Sequence, residues 1–298
     1  MADTPRQRFD ESFLKRLEYL HMVSRKVVTG RLRAERRSKR MGSGLEFADH
    51  RDYAPGDDFR YLDWTVYARM EKLLLRLFEE EEDLTVYLLV DASSSMDLRL
   101  GETSKFDHAV RIAAALAYIA LANLDRVCIV PFSDRILGRM APTRGKNQIF
   151  KVFQFLESIE PGGVTDLKSC ARQFVHQNRR RGMAVVLSDY YDPQGYQDGL
   201  NYLRYNRYEP FVIHLFDDQE VNPALRGDMT LVDCETGTTQ DITVTSRILK
   251  QYRALHTNLS EGLKRLCRKT EVSYFQTPVQ VPYDEVVLRI FRAGGFLK

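Results

Sequence analysis

Residues 84–97 read LTVYLLVDASSSMD, an apolar run that stops at a carboxylate and a row of hydroxyls. Both alternate faces of the run are apolar, the pattern of a strand buried on its two sides in a parallel sheet. Four similar runs follow: VCIVPF at 127–132, MAVVL at 183–187, FVIHLF at 211–216 and VSYF at 272–275. Segments of helical period separate them at 105–124, 148–160, 167–178 and 195–206, with Pro161-Gly162-Gly163 and Asp192-Pro193 as turns. A hairpin around Gly237 is predicted over 231–245, and a long helix over 246–269 precedes the last strand. The alternation predicts an α/β fold: a doubly wound, mostly parallel, Rossmann-like sheet flanked by helices.

The first part of the chain differs. It offers a helix at 10–29, then the basic run RLRAERRSKR at 31–40, then a polar, glycine-punctuated stretch, with five successive acids at 79–83. The predicted organisation is therefore an N-terminal appended region, 1–80, ahead of a sheet domain, 81–298. With 44% hydrophobic and 29% charged residues the 298-residue chain is ordinary globular material, and a net charge of +3 is too small to argue for nucleic acid. Charges run through the opening MADTPRQRFDESFLKRLEYL, which argues against a secretory signal and predicts a cytoplasmic protein. The longest apolar run, IAAALAYIALANL at 112–124, is shorter than the roughly 18 residues a spanning helix needs. Cysteines 128, 170, 234 and 267 lie too far apart for a C-x-x-C pair and are read as reduced, Cys128 in the core.

In a doubly wound sheet, ligands bind outside the carboxyl ends of the strands. Asp91 stands at one such end and Asp189 at another, and between them the GGVTDL loop carries Thr165 behind two glycines that allow close backbone approach. If the two strands are neighbours, Asp91, Ser93, Ser95, Thr165 and Asp189 converge on one crevice. A set of oxygens without His or Cys suits a hard cation, Mg²⁺ or Mn²⁺, rather than zinc. The expected arrangement has the hydroxyls binding directly and at least one carboxylate through water, leaving a coordination position for a carboxylate of a partner protein. The competing reading is local: Asp91 and the serines are strong N-cap residues for the following helix.

At these positions the chain resembles the von Willebrand factor type A domain with its metal-ion-dependent adhesion site, whose pattern is D-x-S-x-S, a distant Thr and a distant Asp. Asp91-Ala92-Ser93-Ser94-Ser95, Thr165 and Asp189 match in turn, although the family often has Gly after the last Asp, where Tyr190 stands; Asp166 and Asp192 lie nearby. A second resemblance is to the bacterial domain of unknown function 58 family. Its hallmark is matched by Gly44, Glu46, Phe47, Arg51, Tyr53, Gly56, Asp57, Asp58, Arg60, Asp63 and Trp64. That resemblance implies a non-enzymatic role beside a MoxR-type AAA+ ATPase, in assembly or activation of other proteins. The charge and aromatic pattern of the same stretch predicts an ion-paired structural brace in which Arg forks hold carboxylates.

Two other classes compete. A metal-dependent phosphoryl-transfer or hydrolytic enzyme would use Asp91 or a serine as nucleophile. Against it, Ser93 occupies the place where haloacid-dehalogenase-like phosphatases need a second Asp, no G-x-S-x-G surrounds the serines, and RMAPTRGKNQ at 139–148 lacks the first Gly and the final Ser/Thr of a phosphate loop. His214, inside an apolar strand, reads as a hydrogen-bonded core residue. Nucleic-acid binding would rest on 31–40 alone, where no aromatics interleave the basic residues.

Overall fold

The computed structural model describes residues 9–28, 46–79 and 85–293. In chain order the first elements are α1 (Glu11–Val28), β1 (Glu46–Asp52), α2 (Trp64–Met70), β2 (Leu74–Glu79), β3 (Thr85–Asp91), α3 (Lys105–Ala122), β4 (Arg126–Phe132) and β5 (Thr143–Arg144). Next come α4 (Ile149–Glu157), α5 (Leu167–Gln177), β6 (Met183–Ser188), α6 (Gln197–Tyr205), β7 (Glu209–Phe216) and α7 (Asp218–Val221). The chain continues through β8 (Gly227–Val232), β9 (Thr239–Val244), α8 (Ser246–Lys269), β10 (Ser273–Pro278) and α9 (Tyr283–Ala293). Residues 9–25 group with 85–293 into one compact unit, and 46–79 belong to a second. The basic run at 31–40, Gly44, the boundary near 80 and the acids at 80–83 lie outside the described residues.

The five apolar runs are the parallel strands of one sheet, in the order β10-β7-β6-β3-β4-β5, with only the short edge strand β5 antiparallel. The chain moves from β3 to β4 on one side and then crosses back over β3 to β6, so the strand order reverses at the β3/β6 boundary. That reversal is where a crevice opens at the carboxyl ends. Gly182, just before β6, lies tight against β3: a Cβ there would come 2.1 Å from the Thr85 carbonyl oxygen.

Alternation along β3 divides the core. Tyr87 and Leu89 join Cys170 and Phe174 of α5, Leu200 and Leu203 of α6, and Leu263 and Cys267 of α8 on one face. Val86, Leu88 and Val90 are equally buried, and α3 packs against the sheet while α4 and α9 pack on α3. Helix α3 is buried from Lys105 to Leu121 except at Arg111, so residues 112–121 of the apolar run are an interior helix, apolar on all sides because protein surrounds them. Phe9 stacks on Phe153 at 4.4 Å and Phe13 meets Tyr283 at 4.8 Å, fixing the start of α1 over α4 and α9. Cys128, Cys170 and Cys267 are buried and Cys234 is exposed, none of them in a disulfide.

In the second unit, β1 and β2 pair antiparallel with a bulge between Phe47 and Asp49. The hallmark acids hold this segment together. Arg51 Nη2 donates to Asp57 Oδ1 at 2.8 Å, Asp57 Oδ2 accepts the Ala54 amide at 2.9 Å, and Arg60 forks onto Asp58 at 2.6 and 2.9 Å. Asp63 caps α2 through the Thr65 and Val66 amides and also meets His50 Nε2 at 3.0 Å; that hydrogen bond, with the amides and Arg76, outweighs burial and lowers its pKa to about 2. The predicted charge pairing is thus present, and it stabilises turns and a helix start within the unit.

Candidate functional site

The register Val90↔Leu187 sets Asp91, the last residue of β3, beside Ser188, the last of β6. Ser188 Oγ donates to Asp91 Oδ2 at 2.5 Å, and the Ser93 amide donates to Oδ1 at 3.0 Å. The loop after Asp91 then turns so that Ser93 Oγ and Ser95 Oγ lie 3.0 Å apart, both buried. It is fixed against the 161–165 loop by Gly162 N to Ala92 O at 2.7 Å and Ser94 N to Gly163 O at 3.0 Å. Gly163 has φ +85°, and a Cβ there would press on Ser133 Oγ at 3.2 Å, so both the turn and the close approach call for glycine. Thr165 follows Gly163 by two residues on this loop. It is 2% exposed, and its Oγ1 has no hydrogen-bond partner.

Asp189, fully buried, accepts the Tyr191 amide on Oδ1 at 3.1 Å and Lys105 Nζ on Oδ2 at 2.8 Å. Lys105 also donates to Glu220 Oε2 at 2.7 Å and lies 4.8 Å from the centroid of the Tyr191 ring. Burial would depress the Lys105 pKa; Asp189 and Glu220 overcome it and hold the ammonium above the ordinary lysine value. Burial, then the neighbouring Asp189, pushes the Asp91 pKa up to about 7 against the Ser188 and Ser93 hydrogen bonds. Two buried carboxylates, Asp189 and Glu220, therefore share a single ammonium, and Asp91 is close enough to Asp189 to feel its charge. Together with a buried hydroxyl that lacks a partner, that excess negative charge fits a hard divalent cation.

The structure places Asp91, Ser93, Ser95 and Asp189 at the carboxyl ends of the neighbouring strands β3 and β6, and Thr165 on the 161–165 loop whose backbone bonds to Ala92 and Ser94. Among the described residues no group of three or more His, Cys, Asp or Glu side chains is placed to hold a metal, so any site here depends on its hydroxyls. The capping alternative fails on geometry: α3 begins at Lys105, and its N-cap is Ser104, whose hydroxyl accepts the Asp107 amide at 3.1 Å. The nearby acids are likewise committed. Asp166 caps α5 through the Ser169 amide at 2.8 Å, and Asp192 accepts the Leu167 amide at 2.9 Å. Tyr190, in the place of the glycine common after the last Asp, keeps a left-handed backbone with φ +61°. Its fully buried ring and its hydroxyl, which donates to Val186 O at 2.9 Å, hold it there.

Lys105, Ser188 and Glu220 were not legible in advance. A signal existed for Lys105: a cation in the first turn of a helix opposes the macrodipole and needs compensation from elsewhere. His214 is buried, with Nδ1 3.0 Å from the Tyr274 hydroxyl, and burial lowers its pKa to about 4, as a core histidine requires. The Ser93 hydroxyl pairs with Ser95 rather than with a histidine.

The sequence pattern of the family described as "Protein of unknown function DUF58" matches residues 49–261. An uncharacterized protein of Mycobacterium tuberculosis, Rv1480, is 27% identical over 238 residues, covering 79% of this chain and 75% of its own length. The uncharacterized protein YeaD of Bacillus subtilis is 33% identical over 76 residues, 26% of this chain and 17% of YeaD. Among solved structures, a conserved hypothetical protein BatB of Bacteroides thetaiotaomicron is 14% identical with a TM-score of 0.45, over 70% of this chain and 96% of that one. An aerotolerance-related membrane protein of Bacteroides fragilis is 15% identical with a TM-score of 0.46, over 70% and 97%.

Because such structural neighbours are described as membrane proteins, the cytoplasmic expectation is corrected and withdrawn. A charge-rich opening segment describes those residues and does not place a protein in a compartment. Among the described residues, no helix is long and apolar enough to cross a membrane.

Proposed function

The chain belongs to the DUF58 family, and from that membership we propose that it is a non-enzymatic, divalent-metal-dependent protein-interaction module with a von Willebrand factor type A-like sheet domain. The observation that carries the reading is the Thr165 hydroxyl, buried without a hydrogen-bond partner on the loop whose backbone bonds to Ala92 and Ser94, the sequence neighbours of Asp91 and of the buried Ser93 and Ser95. Asp91, Ser93, Ser95, Thr165 and Asp189 would hold the ion. Mg²⁺ or Mn²⁺ bound there supplies an electrophilic coordination position that a carboxylate from another protein can fill.

Each residue is prepared for its part by its own neighbours. Asp91 is oriented by Ser188 and the Ser93 amide, which favours a fixed, water-bridged role. Ser93 and Ser95 face one another and add no charge, so they leave the cation electrophilic. Lys105 holds one oxygen of Asp189 and fixes where the other is directed. The partner that the family resemblance implies is a MoxR-type AAA+ ATPase, recognised through an acidic side chain. Such recognition needs no nucleophile, in keeping with a Ser93 hydroxyl paired with Ser95.

The test is binding to the MoxR-type ATPase of the source organism, in Mg²⁺ and in EDTA. Wild type is expected to bind at least about tenfold more tightly with Mg²⁺, a difference of about 1.4 kcal/mol. The Ser93→Ala, Ser95→Ala double variant is expected to bind equally weakly in both. Metal-independent binding by wild type, or full metal-dependent binding by the double variant, would overturn the proposal.

A further inference from the structure

The net charge of +3 averages over two unlike ends of the six-stranded sheet. At the carboxyl end, β3 finishes in Asp91, Asp189 follows β6 and Asp217 follows β7. The amino end is rich in arginine: Arg179, Arg180 and Arg181 stand just ahead of β6, and Arg207 ahead of β7, all four exposed. Arg139, also exposed, lies on the segment that returns alongside β4 to Thr143 and reaches the same place by donating Nε–H to Asn178 Oδ1 at 3.1 Å. Arg126 and Arg144 are register partners across β4 and β5 at this end. The neighbouring β3 is preceded in sequence by the acids at 80–83, and the site is counted without this pair.

Buried groups from three elements fix the arginine run. Asn178, 2% exposed, donates Nδ2–H to Phe174 O at 2.8 Å, and its own carbonyl accepts the Tyr208 hydroxyl at 2.6 Å. Tyr87 of β3 donates its hydroxyl to Arg180 O at 2.9 Å. Arg181 donates Nη1–H to the Tyr208 oxygen at 3.1 Å, and its guanidinium lies 5.0 Å from the centroid of the Tyr208 ring. Among the described residues none of Arg139, Arg179, Arg180, Arg181 and Arg207 is ion-paired. Holding like charges together on a fixed frame costs repulsion, and a polyanion relieves it. Tyr205, the last residue of α6, stands two residues before Arg207 and is 81% exposed. An acidic peptide would use the arginines alone, whereas a nucleic-acid strand also uses the free ring, as a face on which a base stacks.

We propose that the amino end of the sheet binds single-stranded nucleic acid, with the five arginines on phosphates and Tyr205 stacked on a base. The surface lies at the opposite end of the strands from Asp91, so the proposal stands or falls independently of the metal-dependent reading.

The experiment follows the fluorescence anisotropy of a labelled thymidylate oligonucleotide with the full chain, as salt is raised from about 50 to 200 mM. With about 0.7 per phosphate and five arginines, log K is expected to fall against log salt with a slope of about −3.5. The Arg179→Gln, Arg180→Gln double variant should lower that slope to about −2.1. Tyr205→Ala should bind about tenfold more weakly with the slope unchanged. The Ser93→Ala, Ser95→Ala variant should bind as wild type does, and circular dichroism and unfolding that match wild type verify each fold. A slope unchanged by the arginine double variant would assign binding to the basic run at 31–40 and overturn the proposal. Equal displacement of the oligonucleotide by polyglutamate, with full affinity in Tyr205→Ala, would overturn it in favour of an acidic protein segment. No binding by wild type at the lowest salt would overturn it outright.

Discussion

Replacing Lys105 with methionine is expected to cost about 3–5 kcal/mol of stability, because it leaves the carboxylates of Asp189 and Glu220 buried without their ammonium. The Lys105 and Asp189 side chains are each 1% exposed and that of Glu220 12%, so solvent does little to screen the loss. A buried ion pair is not by itself a large stabiliser, since desolvation offsets its attraction. Breaking one side of it is costly because the other side remains. Adding Glu220→Gln to Lys105→Met is therefore expected to return part of the loss. Denaturant unfolding measures both effects, and a loss below about 1 kcal/mol for the single variant, the scale of an exposed pair, would mean that the ammonium does not hold these acids.

Thr165→Val is expected to act in opposite directions on stability and on binding. Valine replaces a hydroxyl that has no partner with a methyl group of similar shape, and an unsatisfied buried polar group costs about 1–3 kcal/mol. In EDTA the variant should thus be more stable than wild type by an amount of that order. In Mg²⁺ the order should reverse or close, because the hydroxyl is a ligand. A variant less stable than wild type in EDTA would show that Thr165 Oγ1 is satisfied in the metal-free protein, and the argument for a ligand at that position would fail.

The parts of this site differ in how far the sequence exposes them. Asp91 and Asp189 were legible because an apolar strand that ends in an acid has few interior uses for it, and Gly162-Gly163 marked the loop that carries Thr165. The adjacency of β3 and β6 was only a condition at that level, since nothing in either strand states its neighbour; the observed register meets the condition. Lys105 and Glu220 stayed hidden because they reach Asp189 across 84 residues and Lys105 across 115. Tyr190 looked like a departure from the pattern, yet its backbone adopts the left-handed conformation that glycine would favour, held by a buried ring.

Elsewhere the reading failed where the polar pattern gave no period. β1, EFADHRD, pairs with β2 although only one of its seven residues is a large apolar one, so no alternation announced it. Helix α9, YDEVVLRIFRA, follows the last strand too closely to have been separated from it, and buries Val286, Val287 and Ile290. The hairpin was legible from Gly237, but the direction in which its tip points depends on how the strands are anchored.

The central claim is that the β3/β6 crevice binds a divalent cation through Asp91 and its neighbours. Thermal unfolding with and without Mg²⁺ tests it most directly. At a concentration of about 100 Kd, binding is expected to stabilise wild type by about 2.7 kcal/mol and raise Tm accordingly. Asp91→Ala is expected to unfold at the same temperature in Mg²⁺ and in EDTA. A wild-type Tm that ignores Mg²⁺ and Mn²⁺, or an Asp91→Ala variant that responds as wild type does, would contradict the account.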